Sequence, residues 1–417
     1  MTVKTDELVR PFAGLRPAPN RAADIAAPPY DVINVSEARE LARGKPHSFL
    51  HISRAEIDLP PETDPYAPEV YAKAKANLRA LEDDGLLIRD RKPTFYAYRI
   101  SAGEKVQTGV AMSASVDAYL KNRIRKHELT RPSKEDDRVR QIDSVDAITG
   151  PVLLIYRADL ELANALTAIT SRAPDSTVPN LEGVRHELWS VDDPDQITLI
   201  DDRLNQMDAI YIADGHHRSA AAARIAVARR SLNPNYDGSE PYNGFLAVAF
   251  PDNEVTILDY NRLVRDLNNH SADEFLHALN HDFSIQSVTG PTRPSAPHSF
   301  AMYLAYNWYL LEPKISIRTN DPVERLDVRV LDRLVLEPLL GISDPRTDTR
   351  IGFVGGTRGP EALALRVDSG EMAVGFCLFP TSLHDLMEVA DAGKIMPPKS
   401  TWFDPKLADG LISLPLN

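Results

Sequence analysis

The chain has 417 residues and a formal charge of −13, with 60 acidic against 47 basic side chains. At roughly 150 residues per domain the length accommodates two domains, and 43 % apolar with 26 % charged residues excludes global disorder. The acidic balance argues against nucleic acid or an anionic membrane as a main partner, and the single cysteine, Cys377, excludes an internal disulfide or a multi-cysteine metal centre.

The first ten residues are polar and charged, without the apolar core of a signal peptide, and no apolar run approaches the roughly 18 residues that span a bilayer. A soluble cytoplasmic protein is therefore expected. Proline-rich stretches follow at 17–29 and 60–68, where fixed φ favours extended or turning backbone. Between them, His51-Ile52-Ser53-Arg54-Ala55-Glu56 offers Glu56 as a base and Arg54 as an anion contact, or is simply a charged loop. Residues 71–81 place Tyr71, Ala74, Leu78 and Leu81 on one helical face. Residues 94–100 and 106–116 read as a hairpin.

Lys126-His127-Glu128-Leu129-Thr130-Arg131 and Asp136-Asp137-Arg138 are dense in ionisable groups. They are candidates for substrate or phosphate contacts through His127, Glu128 and Arg138, or else a solvated charged loop. Strands at 152–156, 184–191 and 209–213 alternate with helices at 160–169, 195–206 and 219–230, the last by alanine content. Further on come strands at 245–250, 300–306, 308–311, 351–354 and 372–378, and helices at 272–279, 327–340 and 383–390. Mixed elements without βαβ regularity predict an α+β fold. The proline-rich 290–297 segment is the expected boundary between domains at 1–290 and 291–417. Cys377 sits in an apolar strand pattern and reads as a buried small hydrophobe.

The segment richest in chemistry is Asp214-Gly215-His216-His217-Arg218, between an apolar strand and the alanine-rich helix. Free N–H groups and the helix dipole favour an anion at such a turn. Gly215 permits close approach, Arg218 supplies a fork suited to phosphate, His216 and His217 can donate to phosphoryl oxygens, and Ser219 adds a hydroxyl. The plainer alternative makes Asp214 an ordinary helix cap. Adjacent histidines rarely chelate one ion and no HExxH spacing occurs, so a histidine zinc site is not expected; Mg²⁺ held partly by Asp214 and mostly by substrate phosphates suits the segment better. No P-loop or GxGxxG signature is present, and Gly355-Gly356-Thr357-Arg358-Gly359 reads as a tight turn. Near the end, Met396-Pro397-Pro398-Lys399-Ser400-Thr401-Trp402-Phe403 either brings Lys399 to a phosphate pocket or docks the tail.

Several of these segments carry a resemblance. Arg10-Pro11-Phe12-Ala13-Gly14-Leu15-Arg16-Pro17, Ala27-Pro28-Pro29-Tyr30-Asp31-Val32-Ile33, KHELT with the later DDR, ADGHHR, LEPLLGI, and MPPKSTWF followed by Pro405-Lys406-Leu407 resemble the family catalogued as domain of unknown function 1015. The resemblance implies a ParB/sulfiredoxin-like catalytic region and relation to free L-serine kinases, which make O-phospho-L-serine from a nucleotide donor. It implies further that Asp214, Gly215, His216, His217 and Arg218 hold the phosphates of ATP or ADP and that Glu56 is the catalytic base. Sulfiredoxin chemistry is not expected, because His216 stands where its cysteine would be. Clamp-type DNA binding is not expected of so acidic a chain. The expected activity is therefore a Mg²⁺-dependent small-molecule kinase acting on a hydroxyl amino acid, with an oligomer compatible. A non-catalytic nucleotide-binding regulator or a phosphohydrolase stands as the alternative.

Overall fold

Apolar alternation first shows itself in the hairpin. In the computed structural model, which describes residues 7–417, strands Tyr96–Ala102 and Lys105–Ser115 pair antiparallel around Gly103, whose φ of 59° suits a residue without Cβ. The N-terminal segment read for the lack of a signal peptide falls, over residues 1–6, outside the described residues. The hairpin lies inside a nine-stranded mixed sheet. Its path runs Ile124–Arg125, Ile210–Asp214, Val152–Tyr156, Gly244–Pro251, Lys105–Ser115, Tyr96–Ala102, Val184–Ser190 and Ser176–Leu181, with Val9–Arg10 also paired to Lys105–Ser115. Every residue of Gly244–Pro251 is buried, as expected of a strand with a neighbour on each side and cover on both faces.

Helices flank this sheet. Pro68–Asp83, Pro132–Val145 and Pro194–Asn205 each begin with proline, whose missing N–H costs nothing in a first turn. Leu160–Ile169 is capped by the Asp159 side chain. The charged 126–138 region is only partly loop, since its second half opens the 132–145 helix, which packs between the 68–83 and 216–232 helices. Arg224 bridges Glu135 and Asp136, and Arg229 bridges Asp143 and Asp146, so opposite charges line the two facing helices.

The chain divides into two compact units. The first comprises the described residues up to Val255 together with Pro405–Asn417, and the second is Thr256–Asp404. The boundary thus precedes the proline-rich 290–297 stretch, which connects strands Phe283–Val288 and Phe300–Leu304 inside the second unit. The reason is pairing: Tyr260–Val264 hydrogen-bonds between Ile351–Gly355 and Val374–Leu378, which ties residues upstream of 290 to the second sheet. Proline marks an extended connection equally well within a domain or between two.

That second sheet has six strands, all antiparallel, in the order Phe283–Val288, Asn307–Pro313, Phe300–Leu304, Val374–Leu378, Tyr260–Val264, Ile351–Gly355. Cys377 is fully buried in it, as read from sequence. The helix expected over 327–340 is α-helical at Asp327–Leu331 and continues as a π-turn at Asp332–Leu336. Residues 355–359 form a tight turn containing a short 3₁₀ segment. Among the described residues no helix is long and apolar enough to cross a membrane. The α+β class holds throughout.

In the first unit the last residues return to the core. Ala27 and Asp409 exchange backbone hydrogen bonds of 3.0 Å, Leu15 and Ser413 do the same at 2.9 and 2.8 Å, and Leu414–Pro415 pairs with Ala147–Ile148.

Candidate functional site

The strand Ile210–Asp214 hands over directly to the helix His216–Leu232 through Gly215 at φ 98°. The helix starts three residues before the expected Ser219, so His216, His217 and Arg218 occupy its first turn. Alanine content located the middle of the helix but carried no information on its start. Gly215 is the cap residue and no side chain caps the helix, which leaves first-turn amides without intrahelical acceptors at the positive end of a 17-residue dipole. Asp214 is therefore not a capping residue. The φ is what favours glycine here; a Cβ on Gly215 would also stand tight against Val152, 3.3 Å from its Cα, and in ordinary contact with Arg218 Cζ at 3.5 Å.

Arg218 is the hub of the site. Its side chain is 8 % exposed, Nη2 lies 3.1 Å from Asp31 and 3.7 Å from Asp214, and Nη1 donates to the Pro151 carbonyl. Its fork is thus engaged within the fold. Burial pulls its pKa down, but Asp31, Asp214, Tyr30 and Asp409 together raise it well above the usual value. The Tyr30 ring joins two cations, with Arg138 Cζ 3.9 Å and Arg218 Cζ 5.9 Å from its centroid. Arg138 is also held by Asp137, which accepts from Tyr71 Oη at 2.9 Å.

Asp214 meets Lys406 Nζ at 3.2 Å. Burial favours its neutral form, but the charges of Lys406 and Arg218 prevail and hold its carboxyl well below the usual range. Asp409 behaves oppositely: burial pushes its pKa up to about 7 against the pull of Arg218. One ionised carboxyl and one that titrates near neutrality therefore face a single guanidinium.

The histidines separate in role. His217 Nε2 accepts from the Arg131 amide at 3.0 Å, which ties the helix start to the 126–131 segment. His216 turns inward, its ring edge-to-face with His127 at a centroid separation of 4.5 Å, and its Nδ1 is 3.9 Å from Glu128. Burial pushes His127 down to about 4, opposed by the Ile212 backbone and Asp214, and burial together with His127 lowers His216 well below its ordinary value. Both rings are neutral at pH 7.

Of the residues singled out from sequence, the structure brings together Asp214, Gly215, His216, His217, Arg218, His127, Glu128 and Arg138. Ser219 is fully buried and its hydroxyl donates back to the His216 carbonyl at 3.0 Å, so it is bonded within its own turn. Glu56 is buried and paired with Arg54 at 3.1 Å, and among the described contacts none joins either to the 214–218 turn. Lys399 belongs to the second unit, where its ammonium stands 5.5 Å from the Tyr260 ring centroid. Tyr30, Asp31, Lys406 and Asp409 were not picked as site residues. The first three lie in sequence segments noted above for their resemblance, which was the available signal; for Asp409 there was none.

Comparison with other proteins gives three findings. The family described as Protein of unknown function (DUF1015) matches residues 9–329. No curated protein matches the sequence. Solved structures overlap at low identity: "Free serine kinase in complex with AMP" at 13 % identity, covering 72 % of this chain and 88 % of that one with a TM-score of 0.35; SbnI with C-terminal truncation from Staphylococcus aureus at 14 %, 72 %, 85 % and 0.38; and a conserved hypothetical protein from Pyrococcus furiosus at 14 %, 74 %, 96 % and 0.34. At these values no residue correspondence follows.

Proposed function

The chain belongs to the DUF1015 family, and from that premise we propose that it is a small-molecule phosphotransferase, with ATP or ADP as donor and free L-serine as the leading acceptor. The observation that supports this most is the uncapped first turn of the 216–232 helix, entered through a left-handed glycine and backed by a buried guanidinium. Backbone amides there suit phosphate oxygens, and phosphoryl transfer asks mainly for positioning and charge neutralisation.

On this reading the amides of residues 216–218 and the His217 imidazole hold the donor phosphates. Arg218, already fixed by Asp31 and Pro151, keeps the turn rigid and adds positive charge beneath it. Asp214 is ionised and one-third exposed, which fits the single-carboxylate mode in which Mg²⁺ binds alongside phosphates. Bound Mg²⁺ would supply neutralisation of phosphate charge. The acceptor hydroxyl oxygen bonds to phosphorus, the bond to the leaving phosphate oxygen breaks, and the hydroxyl proton passes to a carboxylate. Asp31, 39 % exposed and on the same guanidinium, is better placed for that proton than Glu56, which is 7 % exposed and held by Arg54. A ParB/sulfiredoxin-like fold for the first unit and a cytoplasmic location, where nucleotide and free amino acid coexist, belong to the same reading.

The test is incubation of purified protein with ATP or ADP, Mg²⁺ and L-serine, followed by product analysis. Phosphoserine is expected, with a loss of about 100-fold or more in His217→Ala. Nucleotide binding without product across serine, threonine and other small alcohols would replace transfer by sensing, and phosphate release without an acceptor would replace it by hydrolysis.

A further inference from the structure

Two histidines near the helix start are buried without a hydrogen-bonding explanation. His216 is 4 % exposed with Nε2 unpartnered, and His127 is 2 % exposed with the Ile212 backbone beside its ring but no hydrogen bond of full geometry at either nitrogen. Buried polar atoms are ordinarily satisfied, so such orphans call for a cause. Sheet register brings the two together. Ile124 and Arg125 pair in parallel with Ile210 and Tyr211, so the segments leaving both strands emerge at the same edge, one carrying His127 and Glu128 and the other His216.

One ligand atom from each of His127, Glu128 and His216 lies within 4.8 Å of the other two. We propose that these three side chains form a binding site for a divalent transition metal of the zinc class. Two imidazole nitrogens and one carboxylate oxygen are the donor set of an open four-coordinate site, which leaves one position for water or an anion. The same set is ill suited to Mg²⁺, which favours an octahedron of oxygens. Zinc–ligand bonds of about 2.0–2.1 Å require the donors to close by roughly an ångström. Glu128, with 39 % of its side chain exposed, has room to make that movement. His217 is not a member, since its Nε2 is taken by the Arg131 amide.

This site is separate from the Mg²⁺ assigned above to Asp214 and does not rest on phosphoryl transfer. The experiment dialyses chelator-treated full-length protein against Zn²⁺ or Co²⁺ without nucleotide and measures bound metal, with the visible absorption of Co²⁺ as a second readout. About one equivalent is expected, in a low-symmetry Co²⁺ environment. His127→Ala and Glu128→Gln, confirmed as folded by circular dichroism, should bind at least about 100-fold more weakly. Wild-type protein that takes up no stoichiometric metal overturns the proposal, and so does equal uptake by the variants. A parallel nucleotide titration keeps the two readings apart: nucleotide binding without metal uptake removes this site alone, and metal uptake without nucleotide binding removes only the phosphate reading.

Discussion

Replacing Asp409 by asparagine isolates a single buried titration. The carboxyl is 2 % exposed, its Oδ1 has no hydrogen-bond partner, and burial raises its pKa from 3.8 to about 7, with Asp31 adding to the rise and Arg218 opposing it. Between those two values the folded chain keeps a proton that the unfolded chain has released. The group therefore stabilises the fold fully below about pH 4, and that contribution is lost as pH climbs toward 7. About three pH units at 1.36 kcal/mol each amount to about 4 kcal/mol over the window. Asparagine copies the shape of the protonated acid and does not titrate, so Asp409→Asn should gain stability relative to wild type, by several kcal/mol, between pH 4 and pH 7.5. Urea unfolding at each pH, followed by far-ultraviolet circular dichroism, measures the difference and cancels every other titrating group. A difference that stays flat with pH, or that narrows, would show the carboxyl to be ionised in the fold and would refute the argument.

Three further outcomes are expected. Gly215→Ala forces a Cβ into a backbone at φ 98° and against Val152, so it should cost about 1–3 kcal/mol in urea unfolding; a cost under about 0.5 kcal/mol would mean that the turn relaxes freely. Arg218→Met strips Asp31 of its cation and leaves the Pro151 carbonyl without a donor, and should destabilise by about 3–5 kcal/mol in the same assay; unchanged stability would remove Arg218 as the hub. Cys377 is fully buried with its thiol pKa pushed up by burial and by Asp259, so a thiol reagent should modify it only in denaturant. Stoichiometric labelling of the native protein would contradict that burial.

Local periodicity carried much of the architecture. The hairpin at 96–115, the 68–83 helix and the strand–helix alternation from 152 to 232 were all legible, because apolar spacing encodes which face is buried. Two features were not. The 132–145 helix is so charged that its pattern resembles a loop, and its helicity depends on partners such as Arg224 and Arg229 that sequence does not place beside it. The domain boundary depended on strand pairing of 260–264, a long-range fact. For the candidate site, the 214–218 segment announced itself through composition. Its neighbours did not: Asp31 and Asp409 reach Arg218 from 187 residues before and 191 after it in numbering, and His127 reaches His216 only through parallel register. Loop closure of that length is invisible to any local window.

The return of residues 405–417 to the first unit sets a timetable for synthesis. A nascent chain that has left the ribosome as far as Asp404 already holds Asp214, His216 and Arg218, but not the ammonium that faces Asp214 or the buried acid beside Arg218. Until then Asp214 lacks one of the two cations that keep it ionised. The whole second unit is translated in that interval, so this corner of the protein matures last although most of its residues emerge early.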